Sequence, residues 1–110
     1  KEVSMRILAS SARALLFTDE TGIIVYANHN AETLLEQESI TGRGLFDFFE
    51  NPEELQKSII NTAKRSTFGE ITCKMREEND LIKLRMSILS EESQDFKRIF
   101  VTMIKLSPTF

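Results

Sequence analysis

The C-terminal part of the chain alternates apolar and polar residues with a period of two, and this pattern constrains the fold more than any other. Apolar residues alternate with Thr, Lys and Arg over residues 71–76, and the alternation returns over residues 82–88. Because successive side chains of a strand point to opposite faces, each segment predicts a strand with one face on a core and one in water. Residues 98–106 are apolar on both faces. They predict a last strand that is covered on both sides.

A hairpin is predicted near the N-terminus. Residues 14–18 and 23–27 are short apolar segments, and Asp19-Glu20-Thr21-Gly22 lies between them. Asp accepts main-chain hydrogen bonds at the start of a turn, and Gly takes the positive φ that the last position often needs. The two segments therefore predict the first two strands, joined by a tight turn. Like the last strand, they are apolar on both faces.

Helices are predicted at the N-terminus and in the middle of the chain. Residues 2–13 have the apolar spacing of an amphipathic helix, and Asn28 is placed to cap a helix over residues 29–37. The sequence Asn51-Pro52-Glu53-Glu54 predicts the start of a longer helix, which should end before Gly69. The helical middle is expected to cover one face of the sheet.

Composition excludes several classes of protein. A chain of 110 residues accommodates one domain, and its net charge of −3 with interspersed acids and bases argues against a nucleic-acid partner. No apolar run reaches the roughly 18 residues of a membrane span. One Cys and one His cannot form a disulfide or a zinc site. The chain starts at Lys1 without a signal peptide, so we expect a segment of a longer, cytoplasmic protein without direct membrane contact.

Three segments together resemble the PAS domain family. Residues 18–28 are similar to its hairpin, with the Asp-x-x-Gly turn and a closing Asn, and residues 30–35 to the helix that follows. Residues 40–49, with Gly42-Arg43-Gly44-Leu45, resemble its Gly-Lys/Arg-x-Leu-x-Asp segment. The resemblance covers about residues 8–106. One departure is the end of the last strand, Ile104-Lys105-Leu106, where the family usually has an Asp-Ile-Thr-like motif.

The resemblance implies an α+β fold. It predicts a PAS-like five-stranded antiparallel sheet of order 2-1-5-4-3, with helices packed on one face. The other face is expected to be covered by the same surface of a second subunit or by the N-terminal amphipathic helix that the apolar spacing predicts. Residues 1–13 would be that helix, serving dimerisation or as a linker. Residues 14–107 would form the PAS domain, and residues 108–110 would start a linker to a downstream domain.

The resemblance also implies a function. We expect a regulatory sensor module of a multidomain signal-transduction protein, foremost a sensor histidine kinase of a two-component system. It would detect a small molecule or mediate dimerisation, as a homodimer formed through residues 1–13 and the outer sheet face, with an effector domain downstream in cis. The alternative is a ligand-free docking module of a transcriptional regulator or cyclic-dinucleotide signalling enzyme. The domain itself is not expected to be an enzyme, because no acid–base pair, activated nucleophile or phosphate loop is recognisable.

A candidate ligand pocket lies between the predicted sheet and helices. Its lining would be Phe46, Phe49, Ile59, Ile71, Cys73 and Met86. Aromatic clusters in small domains are more often core than pocket, so a packed core is the competing interpretation. An unidentified small ligand is left open.

Three other residues invite a functional interpretation. His29 lies at a helix start rather than on the longer helix, where haem-binding relatives usually carry their ligand, so haem is not predicted. Cys73 lies in an alternating strand, and no Asn-Cys-Arg-Phe-Leu-Gln-like run is present, so a covalently reacting flavin is not predicted. Arg43 is interpreted as a solvated loop charge rather than an anion clamp.

Overall fold

The predicted sheet topology is confirmed. A computed structural model of the protein describes residues 13–65, 67–89 and 97–106. Strands β1 to β5 span Ala14–Thr18, Ile24–Ala27, Gly69–Lys74, Leu81–Leu89 and Arg98–Leu106. Helix α1 spans His29–Leu35, a 3₁₀ turn spans Leu45–Phe48, and helix α2 spans Pro52–Arg65. The strands form one antiparallel sheet of order β2-β1-β5-β4-β3. The predicted N-terminal helix falls almost entirely on residues 1–12, outside the described ranges.

The turn between β1 and β2 is organised by one carboxylate. Asp19 Oδ1 accepts hydrogen bonds from Thr21 N at 2.9 Å, Thr21 Oγ1 at 2.7 Å and Ile23 N at 3.0 Å. Gly22 closes the turn with a φ of +100°, as predicted for this position. Partial burial raises the pKa of Asp19, but its hydrogen bonds together lower that pKa more, so the net shift is downward.

Asn28 joins the hairpin to helix α1. Its Oδ1 accepts from Ala31 N at 2.8 Å, which is the predicted N-cap, and also from Leu15 N at 3.2 Å. Its Nδ2 donates to Arg13 O at 2.7 Å, where the chain enters β1. Helix α1 ends at Leu35, two residues before the predicted end, because Glu36 adopts the left-handed conformation with a φ of 58°.

Helix α2 begins at Pro52, as predicted, and ends well before Gly69. Its buried residues include Leu55, Ile59 and Ala63, which lie four apart and form one stripe toward the sheet. Lys97 Nζ donates to Ala63 O at 2.9 Å and so ties the last turn of α2 to the start of β5.

The core lies between the sheet and the helical crossover. One cluster of buried apolar residues contains side chains from both helices, the 3₁₀ turn and all five strands. Strand β5 contributes Ile99, Val101 and Met103, which alternate with more exposed residues. The two helices and the 3₁₀ turn therefore cover one face of the sheet, here called the inner face; the opposite side is the outer face.

Candidate functional site: the interior and the outer face

The structure brings all six predicted pocket residues together in the core. Phe49, Ile59, Cys73 and Met86 are buried members of the core cluster. Phe46 and Ile71 are partly buried and pack against it. The period-two pattern of the strands had placed Ile71, Cys73 and Met86 inward, and the period-four stripe of the helix had placed Ile59 inward. Phe46 and Phe49 lie outside both patterns. Whether these residues hold a ligand stays a prediction.

Phe46 packs directly on the main chain of two turns. A Cβ atom added at Gly44 would lie 2.5 Å from the Phe46 ring, and one added at Gly22 would lie 3.1 Å from it. No non-glycine side chain fits at Gly44 without moving the ring. Phe46 thereby fills the space between the hairpin turn and the loop before the 3₁₀ turn.

Buried polar side chains in the described residues are used by the fold itself. Thr18, Asn28 and Thr62 are the buried polar residues of these ranges. Thr18 Oγ1 donates to Asp19 O at 2.9 Å, and Thr62 Oγ1 donates to Ser58 O at 2.9 Å. Across the same ranges, no buried side-chain nitrogen or oxygen atom lacks a hydrogen-bond partner. These groups therefore have their hydrogen bonds within the protein.

Cys73 carries a protonated thiol. Burial, together with the smaller effect of the negative charge of Glu54, raises the pKa of Cys73 to about 11. The reactive form of a cysteine is the thiolate, so a thiol with this pKa is a poor nucleophile near neutral pH.

His29 and Arg43 both lie on the surface. His29 is exposed and is the first residue of α1, so the structure does not bring it to the core cluster. The Arg43 guanidinium lies 4.5 Å from the centroid of the Phe48 ring and donates to Gln37 Oε1 at 3.2 Å. The contact with the Phe48 ring, which holds the Arg43 side chain over an aromatic face, was not predicted.

The outer face has an apolar half on β2, β1 and β5. The Phe17 ring lies 5.8 Å from that of Tyr26 and 5.4 Å from that of Phe100, measured between centroids. Toward the other end of β5, Leu106 pairs with Leu81 of β4. Ile104, Leu81 and Leu106 are 45%, 44% and 36% exposed. We call these three residues the exposed apolar patch.

Apart from the exposed apolar residues Leu81 and Leu89, the other half of the outer face, on β4 and β3, is charged or polar. Glu70 Oε2 accepts from Arg85 Nε at 2.9 Å, and Glu70 Oε1 lies 3.8 Å from Lys83 Nζ. Glu70 and Arg85 are directly opposite each other in the β3–β4 register. Alternation had placed Lys83 and Arg85 on the polar face. Alternation does not specify that both cations contact the Glu70 carboxylate, because that contact depends on the strand register.

Two clefts and one cluster of carboxylates also lie at the surface. Two open clefts flank α1, one of about 470 Å³ lined by His29 and Glu38 among others, and one of about 410 Å³ between α1 and the end of β5. Neither is lined by any of the six predicted pocket residues. Carboxylate oxygens of Glu36, Glu78 and Asp80 lie within 4.8 Å of one another and could approach a cation, but Asp80 already pairs with a lysine.

No helix within the described ranges has both the length and the apolar character needed to cross a membrane.

Comparison with known proteins identifies the family. A family model described as the PAS fold matches residues 5–106, which is most of the chain. The chain belongs to the PAS family. Among curated proteins, none matches it.

Solved PAS domains superimpose over nearly the whole chain. The PAS domain of nitrogen regulation protein NR(II) from Vibrio parahaemolyticus is 18% identical, with a TM-score of 0.72, and the match covers 96% of this chain and 100% of that one. A PAS domain from Colwellia psychrerythraea is 16% identical, with a TM-score of 0.75 and coverages of 96% and 95%. The PAS domain of Bordetella pertussis BvgS is 10% identical, with a TM-score of 0.72 and coverages of 97% and 86%. At sequence identities this low, these superpositions establish a shared fold and nothing more specific.

Proposed function

We propose that this PAS domain is a regulatory module of a multidomain signalling protein and acts by pairing with a second copy of itself. The exposed apolar patch is the observation that carries this proposal. Ile104, Leu81 and Leu106 are neighbours on one face, and each leaves a third or more of its surface in water. Apolar side chains clustered in this way favour a protein interface over solvent.

The pairing surface would be isologous. In a two-fold dimer, each copy presents the same surface to the other. The exposed apolar patch lies on strands β4 and β5, so two patches meeting across the axis would bury six large apolar side chains, three from each copy. We propose that residues 1–13, which have the apolar spacing of an amphipathic helix, complete this interface.

The parent protein is proposed to be a sensor histidine kinase. Support comes from similarity to a PAS domain described as belonging to a two-component sensor histidine kinase, at 12% identity and a TM-score of 0.68. In that setting, residues 14–107 form the regulatory domain, and residues 108–110 lead toward an effector domain.

Docking without a ligand is the second candidate, and the interior favours it. A small-molecule site usually presents a few polar groups that converge on the ligand. Here Thr18, Asn28 and Thr62, the buried polar residues of the described ranges, hydrogen-bond to the protein's own main chain. The six proposed pocket residues are apolar or, at Cys73, a protonated thiol. A role without a ligand, in docking or in pairing, thus has more structural support here than tight binding of a polar ligand.

Sedimentation equilibrium of the purified domain tests the proposal. The wild-type domain should approach the mass of a dimer as its concentration rises toward the millimolar range. Ile104→Asp introduces a charge into the exposed apolar patch and should weaken dimerisation at least about tenfold. Phe68→Asp is the matched control, because Phe68 is also apolar and 60% exposed but lies before β3, away from the patch. A monomeric wild type, or equal weakening by both variants, would contradict the proposal.

A further inference from the structure

Two apolar residues on the outer side of β1 are buried, although both helices and the 3₁₀ turn pack on the inner face. Leu15 and Phe17 are 3% and 8% exposed, yet neither belongs to the apolar cluster of the inner face. Ile104 lies diagonally next to Leu15 on the outer face and is 45% exposed. Side chains of the sheet therefore do not account for the burial of Leu15, which requires a cover from another segment. We call Leu15 and Phe17 the covered pair.

Chain connectivity limits which of the remaining segments, residues 1–12, 90–96 and 107–110, can cover this pair. Residues 107–110 follow Leu106, and the β1–β5 register places Phe17 six positions back along β5 from there. Six strand residues span about 20 Å, whereas four residues reach at most about 14 Å. Residues 90–96 connect the paired ends of β4 and β5, and all but one of them are polar or charged. Neither of these two segments is suited to cover the pair.

Residues 1–12 have the position and the length that the cover requires. They join β1 at Arg13, two positions before Leu15, and Asn28 Nδ2 fixes this junction by donating to Arg13 O at 2.7 Å. As the predicted helix, these residues would be about 18 Å long. The five residues of β1 span about 17 Å, so the segment is long enough to run along the whole strand.

We propose that residues 1–12 fold back over the outer face of their own chain and pack on the covered pair. Helical spacing places Met5, Leu8 and Ala12 on one side of this segment, and that side would contact the pair. The pair is buried within a single chain, which favours this arrangement over an exchange of the segment between two copies.

Docking of this segment divides the outer face into two parts with different partners. The chain's own residues 1–12 occupy the part over β1, and the exposed apolar patch on β4 and β5 is left to a second copy. The two parts adjoin, because Ile104 lies diagonally next to Leu15. The proposed pairing surface would then include the side of the segment that faces away from β1. The docking itself needs one chain only and does not rest on pairing.

Contacts between side chains test the docking in the wild-type domain. In a uniformly ¹³C-labelled sample, nuclear Overhauser effects should connect the Leu8 methyl groups with Leu15 and with the Phe17 ring, because packed side chains approach within about 4.5 Å. In an equal mixture of labelled and unlabelled protein, these effects should be absent from a spectrum filtered for contacts between chains. Their absence from the uniform sample, or their presence between chains, would overturn the proposal.

A charge on the apolar side of the segment should uncover the pair. Leu8→Asp places a carboxylate against Leu15, whereas the matched control Ser10→Asp adds the same charge on the opposite side of the predicted helix. With a soluble gadolinium chelate, the Leu15 methyl groups should relax at least about threefold faster in Leu8→Asp than in wild type, because they lose the contacts that exclude the probe. Ser10→Asp should match wild type. Leu84, which is buried on the inner face, should relax slowly in all three proteins and so report that the fold is retained. Unchanged Leu15 relaxation in Leu8→Asp would contradict the proposal.

Failure of the docking and failure of pairing give different results. A domain that stays monomeric contradicts the proposed pairing, yet its Leu8 should still contact Leu15 and Phe17. A dimer without these contacts contradicts the docking and leaves pairing through the exposed apolar patch unaffected.

Discussion

Replacing Asn28 by Ala should cost far more stability than an ordinary surface substitution. The Asn28 side chain is buried and bonds three main-chain groups: Ala31 N–H at 2.8 Å, Leu15 N–H at 3.2 Å and Arg13 C=O at 2.7 Å. Alanine satisfies none of them. The substitution removes the cap of α1 and two contacts at the start of β1 together.

The size of the effect can be estimated from these contacts. Loss of an N-cap costs about 1 kcal/mol. The Leu15 amide is buried and would be left without its side-chain partner, which costs about 1–2 kcal/mol, and the part-buried Arg13 carbonyl adds about 0.5 kcal/mol. The expected loss is about 3 kcal/mol. With a urea m-value of about 1.5 kcal/mol/M, the unfolding midpoint should fall by about 2 M.

Urea unfolding followed by circular dichroism measures this loss. Asn28→Ser keeps an oxygen that can cap α1, so it should recover about 1 kcal/mol relative to Asn28→Ala. Lys57→Ala, at an exposed position of α2, should change stability by less than about 0.5 kcal/mol. An Asn28→Ala variant that loses under about 1 kcal/mol would refute the reasoning, because the three contacts would then contribute no more than a cap.

Three other predictions concern local contacts. Gly44→Ala should cost about 1–3 kcal/mol by displacing the Phe46 ring, and a double-mutant cycle with Phe46→Leu should show coupling. Gly42→Ala, which meets no atom within 4 Å but has a φ of +91°, should cost about 1–2 kcal/mol without coupling to Phe46. The folded-state pKa of Asp19 lies below 3.8, so hydrogen bonds to its carboxylate stabilise the folded protein above that pH and lose this effect as the pH falls through the folded-state pKa. The difference in unfolding free energy between wild type and Asp19→Asn should therefore be smaller at about pH 3 than at about pH 6. Cys73, with its pKa raised to about 11, should react with a disulfide reagent near neutral pH far more slowly in the folded than in the unfolded protein.

The strands were predictable from sequence because their signal is local. Alternation over residues 71–76 and 82–88 identified β3 and β4, and the Asp-x-x-Gly turn identified the first hairpin. Their order in the sheet followed from the family resemblance, since periodicity does not say which strands are neighbours. The end of α1 was predicted too late because the left-handed conformation of Glu36 has no clear sequence signal.

Contacts between distant segments were not predictable from sequence. The isolated bridges that pair Ile23 with Gly44 and Phe49 with Met75 depend on where the crossover meets the two sheet edges. Glu70 contacts two cations because of the register between β3 and β4. That register is set when the whole sheet assembles, so neither strand's own sequence specifies it. Periodicity predicted the inward positions of four candidate pocket residues, Ile59, Ile71, Cys73 and Met86, whereas Phe46 and Phe49 lie outside any periodic segment. Their use by a ligand depends on volume and shape, which periodicity does not encode.

The most direct test of pairing through the outer face is a dilution series of the ¹⁵N-labelled domain. On dilution from millimolar to low micromolar concentration, amide signals of Phe100, Ile104 and Leu106 should move as the dimer dissociates. Signals of α2, which covers the inner face, should stay in place. Concentration-dependent shifts confined to α2, or no shifts in a protein that remains monomeric throughout, would contradict the proposed pairing surface.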